Sequence, residues 1–134
     1  MRSRVAAARV GRLATVRPDG TPHVVPVCFA VVGDGDEIVT AVDAKPKSTT
    51  ALARLDNVRA QPHVALIVDH YDDDWSQLWW VRVDGTARVD DLTGEHAAAL
   101  AAKYEQYRAT RPPGPAIVVR GARYTGWAGS GRKL

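Results

Sequence analysis

The sequence predicts a mainly β, α+β domain: a small antiparallel barrel of six to seven strands with two helices. Three observations predict it. Two turn signals, Pro18-Asp19-Gly20-Thr21 and Gly33-Asp34-Gly35-Asp36, punctuate β-branched runs in the first third of the chain. The elements read along the chain as β-β-β-α-β-β-α-β, without the strict alternation of a doubly wound parallel sheet. The 134 residues are 46% hydrophobic and 25% charged, enough for one domain, 1–134, with a core that needs no disulfide or metal staple.

Met1 to Arg9 is a basic, Ala-rich lead that reads as the end of a helix. Val10 to Arg17 is the first strand, stopped where Pro18 presets φ, Asp19 caps locally and Gly20 accepts φ > 0. His23 to Val32 reads as one long strand, and Pro26 within it predicts an edge or a bulge. Glu37 to Val42 (EIVTAV) is the third strand. From Ser48 the period changes: Ala51, Leu52, Leu55 and Val58 mark a helical stripe, and Pro62 follows its end. His63 to Asp69 and Leu78 to Val89 are strands, and Gly85 inside the second marks a bulge or corner. Asp91 or Thr93 caps a second helix with Ala97, Leu100, Ala101 and Tyr104 on one face, ended by RPPGP. Ala116 to Tyr124 is the last strand, and GWAGSGRKL reads as a loose tail.

The net charge of +3 suits an anionic ligand and is too small and too evenly spread to argue for nucleic acid. No apolar run approaches the length of a membrane span, and the N-terminus has no signal-peptide core. Cys28 is the single cysteine, in an apolar run where a small buried thiol is expected. Together these favour a cytoplasmic protein that binds neither membrane nor nucleic acid. His23, His63, His70 and His96 show no metal-binding spacing, and GxSxG, HExxH and GxGxxG are absent. Asp69, Asp72, Asp73 and Asp74 lack the alternate spacing and glycine of a calcium loop and read as a solvated acidic turn. No metal and no catalytic acid or base is nominated.

Two features remain. In AVDAKPKSTTALARL, Lys45 and Lys47 flank Pro46 immediately before Ser48, Thr49 and Thr50 at a helix start. Unpaired N–H groups and the positive dipole end make that terminus an anion seat, to which hydroxyls and cations add. A capped helix with two solvated lysines explains the same residues equally well. The second feature is Trp75, Trp79 and Trp80 in close succession. Consecutive strand residues face opposite ways, so one of Trp79 and Trp80 points outward, with Arg82 on the face of Trp80. An outward tryptophan calls for an interface or a flat ligand.

The segments RLATVRPDGTPHVVPVCF, IVTAVDAKPKSTTALARLDNVRAQPHVALIVDHY and DDDWSQLWWVRVDGTARV resemble the split β-barrel, pyridoxamine 5'-phosphate oxidase-like proteins, from about Val10 to about Trp127. The KPK turn and the WSQLWWVRVDG strand are most similar to the actinobacterial branch that uses coenzyme F420, a deazaflavin. The resemblance implies an FMN-binding type of split barrel and a homodimer with the cofactor in two grooves between subunits. It implies a cofactor phosphate held by Lys45, Lys47, Ser48 and Thr49, and a ring lying beside Val25, Pro26, Val27, Thr40, Ala41 and Val42. It implies a second wall from the partner subunit's copy of the segment carrying Trp75, Ser76, Leu78 and Trp79. The implied function is hydride transfer from reduced F420 to an unsaturated organic acceptor. FMN-dependent oxidase or reductase chemistry on the same barrel, or an F420 carrier without turnover, is the alternative. The flavin motif and C-terminal substrate residues of true pyridoxamine phosphate oxidases find no match, which argues against pyridoxine chemistry.

Overall fold

The computed structural model describes residues 1–42, 49–131 and 133–134, and the backbone alone for Thr49, Thr50 and Ala51. The elements are α1 (Arg2–Ala7), β1 (Gly11–Val16), β2 (Pro22–Val27), β3 (Ala30–Val32), β4 (Glu37–Ala41), α2 (Thr49–Ala60), β5 (His63–His70), β6 (Trp79–Asp90), α3 (Gly94–Lys103), α4 (Glu105–Ala109) and β7 (Ala116–Ala128). One turn of 3₁₀ helix, Trp75–Gln77, precedes β6. The expected mainly β architecture is present; α1 falls in the lead that reads as a helix end, and the second expected helix breaks at the extended Tyr104 into α3 and α4.

The strands form one antiparallel sheet in the order β2-β1-β5-β6-β7-β4-β3. Its two outermost strands, β2 and β3, are separated in the chain by Cys28 and Phe29 alone. Two residues reach only about 10 Å, so the sheet has to roll until its edges meet. The inward positions of six strands accordingly share one core, with Leu13, Val27, Ile38, Leu66, Val81 and Ile117 among its members. Val5 of α1 joins that core, as do Leu55 and Val58 of α2. Leu52, expected on the buried stripe of α2, is exposed instead.

β4 and β7 read as continuous apolar runs because both faces of this part of the sheet are covered. Ile38 and Ile117 face the barrel, while Val39 and Val118 join Leu100 and Tyr104 in a second cluster under α3. Gly85 lies at the register shift between Asp84 and Thr86, where β6 bends. A Cβ there would stand 2.6 Å from Val119 Cγ1 and 2.7 Å from the Arg120 carbonyl oxygen, so only glycine lets the two long strands approach. Pro26 sits on the edge strand β2, as its missing N–H requires.

Two expectations are corrected. The run from His23 to Val32 breaks into β2 and β3, because Phe29 turns fully inward at the junction and leaves Cys28 exposed rather than buried. The first three residues of the segment expected as a loose tail continue β7, pairing Gly126, Trp127 and Ala128 with Val81, Trp80 and Trp79. Its glycines permit close approach: Gly129 lies against the Trp75 carbonyl and donates to the Leu78 carbonyl at 2.8 Å.

The strand break frees backbone groups that need partners. Tyr104 supplies them: its hydroxyl accepts from Phe29 N–H at 3.1 Å and has the Phe29 and Arg9 carbonyls each at 3.0 Å for its own proton. Burial pushes the Tyr104 hydroxyl pKa up, keeping that proton in place. Beside it, Lys103 rests its Nζ 3.9 Å from the Phe29 ring centroid, and burial with the nearby Arg9 lowers its pKa to about 8. We expect Tyr104→Phe to cost about 1–3 kcal/mol in urea unfolding, since it leaves buried backbone groups unpaired. An unchanged unfolding midpoint would show that the junction is not held by this hydroxyl.

Candidate functional site

Alternation along β5, β6 and β7 sends Val64, Leu66, Val68, Val81 and Val83 into the core. It sends Ile67, Asp69, Trp80, Arg82 and Trp127 outward. The register sets Ile67 against Arg82, and Trp80 between Asp69 and Trp127. The Arg82 guanidinium lies 6.0 Å from the Trp80 ring centroid, so these two share the outward face as their spacing predicts. Trp79 instead packs against the barrel core.

This face carries a depression of about 330 Å³ lined by Ile67, Tyr71, Leu78, Trp79, Trp80 and Trp127, with Asp69, His70 and Arg82 at its polar margin. Tyr71 is 67%, Trp75 69% and Trp127 48% exposed, a density of open aromatic surface that marks a binding or pairing face. The turn beside it is rigidly built. Asp72 Oδ1 accepts from Asp74 N–H at 2.8 Å. Asp74 Oδ1 accepts from Ser76 N–H at 3.1 Å and from the Ser76 hydroxyl at 2.8 Å, capping the 3₁₀ turn that presents Trp75. The acidic run is therefore turn chemistry.

The structure gathers Trp75, Ser76, Leu78 and Trp79 at the β5–β6 connection. Val25 is half-buried and Pro26 exposed on β2, while Val27 is in the core. Thr40, Ala41 and Val42 are buried; Thr40 donates its hydroxyl to the Cys28 carbonyl at 2.7 Å, tying β4 to the β2–β3 junction. Lys45, Lys47 and Ser48 lie outside the described residues, and of Thr49 the backbone is described as the first residue of α2.

The register fixes where the Lys-Pro-Lys turn departs. Ala41 pairs with Ala116, which pairs with Asp90, so the end of β4 is level with the far end of β6 from Trp79. Twelve residues of strand span up to about 35 Å.

Near the start of β2, burial first and then Arg17 and Arg54 hold the His23 imidazole below its ordinary pKa. That places Arg17, just after β1, and Arg54 of α2 near His23, a juxtaposition that linear spacing does not announce.

A second polar cluster also escaped the sequence. Glu37, at the start of β4, accepts from Arg120 and pairs with His96 Nε2 at 3.0 Å, with Arg88 at 3.9 Å. Glu95 brings a third potential metal ligand within 4.8 Å of Glu37 and His96. With both Glu37 oxygens engaged by His96 and Arg120, the cluster is a charge-compensated clasp between α3, β4 and β7. Those two hydrogen bonds hold the Glu37 carboxyl below its ordinary value of 4.5. A depressed folded pKa stabilises above the unfolded pKa and is lost as pH falls through the folded one. Glu37→Gln should therefore lower Tm at pH 7, with the gap to the unsubstituted protein closing as pH falls below the ordinary value of 4.5 and through the lower folded pKa. A gap that persists at acid pH would assign the loss to packing.

Among the described residues, no helix is long and apolar enough to cross a membrane. No curated protein matches the sequence significantly. Among solved structures, an F420 reductase is 31% identical, with 92% of this chain and 94% of that one covered and a TM-score of 0.64. A conserved hypothetical protein from Mycobacterium tuberculosis is 22% identical over 93% of this chain and 80% of that one, TM-score 0.70. An FAD-binding protein from Mycobacterium smegmatis is 21% identical over 93% of this chain and 89% of that one, TM-score 0.62. The sequence profile of the pyridoxamine 5'-phosphate oxidase family matches residues 1–128. With seven antiparallel strands rolled into a split barrel and a family match over nearly its whole length, the chain belongs to the pyridoxamine 5'-phosphate oxidase-like family.

Proposed function

We propose that the protein is an F420-dependent reductase that works as a homodimer, with the deazaflavin in grooves between two copies. The observation that carries this reading is the tryptophan-lined depression beside the β5–β6 turn. Its volume of about 330 Å³ is at the low end for small-molecule sites, and its flat aromatic walls fit a planar ring system. The dimer belongs to the same reading: the end of β4, after which the Lys-Pro-Lys turn follows in the chain, is level with the end of β6 opposite Trp79, so a second copy would supply the tryptophan wall. The likeness to an F420 reductase favours the deazaflavin branch, and FMN is the second reading.

The residues have distinct roles. Lys45, Lys47, Ser48 and Thr49 would hold the phosphate at the start of α2, by charge, hydroxyls and unpaired backbone N–H groups. Val25, Pro26 and Val27, with the backbone of Thr40, Ala41 and Val42, would bound one side of the ring. Trp75, Ser76, Leu78 and Trp79 of the second copy would close the other and exclude water. When bound, the deazaflavin supplies a hydride, its ring carbon handling oxygen poorly. Reduction of an acceptor's double bond would take that hydride at one carbon and a proton from solvent at the other, a balanced two-electron change. No side chain is required as acid or base, so the protein contributes orientation and exclusion.

The test is turnover. Reduced F420 mixed with the protein and a panel of quinones and enones should lose its reduced spectrum with at least one acceptor. Binding of F420 without oxidation across the panel would favour a carrier, and binding of FMN alone would favour a flavin enzyme.

A further inference from the structure

A second depression, of about 300 Å³, adjoins the tryptophan-lined one, and both are lined by Asp69, His70 and Trp79. The two compartments differ in chemistry. The second is lined by Arg4, Arg9 and Arg12. Its lining holds these three arginines and a single carboxylate residue, Asp69, which Arg12 approaches at 3.3 Å. Among the described residues, neither Arg4 nor Arg9 pairs with a carboxylate. The Arg4 guanidinium lies 4.8 Å from the Trp79 ring centroid. Arg9 lies 4.8 Å from the Tyr104 ring centroid and donates to the Lys103 carbonyl at 3.1 Å. Stacking on an aromatic face holds a guanidinium flat and leaves its N–H edges available to a carboxylate. Trp79 stands at the boundary, with His70 stacked at 6.4 Å and 22°.

Resting on the reductase reading, we infer that the acceptor is a flat, apolar molecule bearing a carboxylate. Its carboxylate is held by Arg4 and Arg9, and its apolar body reaches past Trp79 toward the cofactor ring that the tryptophan-lined depression would hold. Cations without counter-charges are unfavourable until an anion arrives, so the arginine compartment selects for charge. A carboxylate could also come from an acidic cofactor tail, and the experiment separates the two sources.

The probes are naphthoate, the neutral naphthyl methanol, and a glutamyl tripeptide that carries carboxylates without a ring, each titrated by tryptophan fluorescence. Naphthoate should bind at least about tenfold tighter than the alcohol, with a preference that shrinks as salt rises. The Arg4→Gln/Arg9→Gln variant should lose that preference while binding F420 as the unsubstituted protein does. Equal binding of naphthoate and alcohol, or a preference that survives the double substitution, overturns the inference. Saturation by the tripeptide with no naphthoate preference overturns it in favour of a tail site. Should the unsubstituted protein bind neither F420 nor FMN yet keep the naphthoate preference, the anion site stands and the reductase reading alone falls.

Discussion

Trp80→Glu is expected to yield a folded monomer that no longer binds F420. Trp80 sits in the middle of the outward face, flanked by Trp127, Asp69 and Arg82, and is not part of the barrel core. A buried interface tryptophan is the commonest kind of hot spot, and its loss costs at least about 2 kcal/mol. A carboxylate at the same place adds the penalty of burying an unpaired charge. Sedimentation should show half the mass of the unsubstituted protein, with the circular dichroism spectrum retained. Loss of cofactor binding follows because the phosphate turn and the tryptophan wall would belong to different copies. A dimer that survives Trp80→Glu would move the interface elsewhere. An unsubstituted protein that is monomeric at tens of micromolar would contradict the shared groove.

Lys47→Ala is expected to weaken F420 binding by about 1–3 kcal/mol, five- to 150-fold, the range of a charge-assisted contact. The loss should shrink in high salt, because screening already weakens the lysine's contribution. The Tm of the protein without cofactor should barely move, since a lysine outside the helix start caps nothing. Lys45→Ala should behave alike. A capped helix with solvated lysines predicts no change in binding for either variant, so one titration at two ionic strengths separates the two readings.

Much of the barrel was legible in the sequence because its signals are local. Turn residues at Pro18 to Thr21 and Gly33 to Asp36, the interior Gly85 and the edge Pro26 each impose a backbone constraint that tertiary packing did not override. Where prediction failed, the cause was a distant contact. Phe29 turns inward at a break in the β run because Tyr104, far along the chain, supplies hydrogen bonds there. Residues 126–128 form strand rather than tail because β6 already offers the paired edge, and glycines there read locally as flexible. Leu52 fits the helical stripe of α2 and is exposed nonetheless, for which the single chain gives no reason.

The site divides in the same way. That one of Trp79 and Trp80 points outward, and that Arg82 shares the face of Trp80, followed from strand alternation, which does not say which of the two tryptophans is outward; the closeness of Trp75, Ser76, Leu78 and Trp79 follows from their places in the sequence. Arg4, Arg9 and Arg12 were invisible because helix and strand bring them beside Trp79 only in the folded chain. The Glu37 clasp, joining α3, β4 and β7, was invisible for the same reason.

The central claim is a deazaflavin held between two copies of this chain. Titrating the purified protein with F420, following tryptophan fluorescence alongside sedimentation of the complex, tests it most directly. The account predicts saturable quenching at micromolar F420, with one cofactor per chain and two per dimer. An absence of quenching at that concentration, or saturation on a monomer, would contradict it.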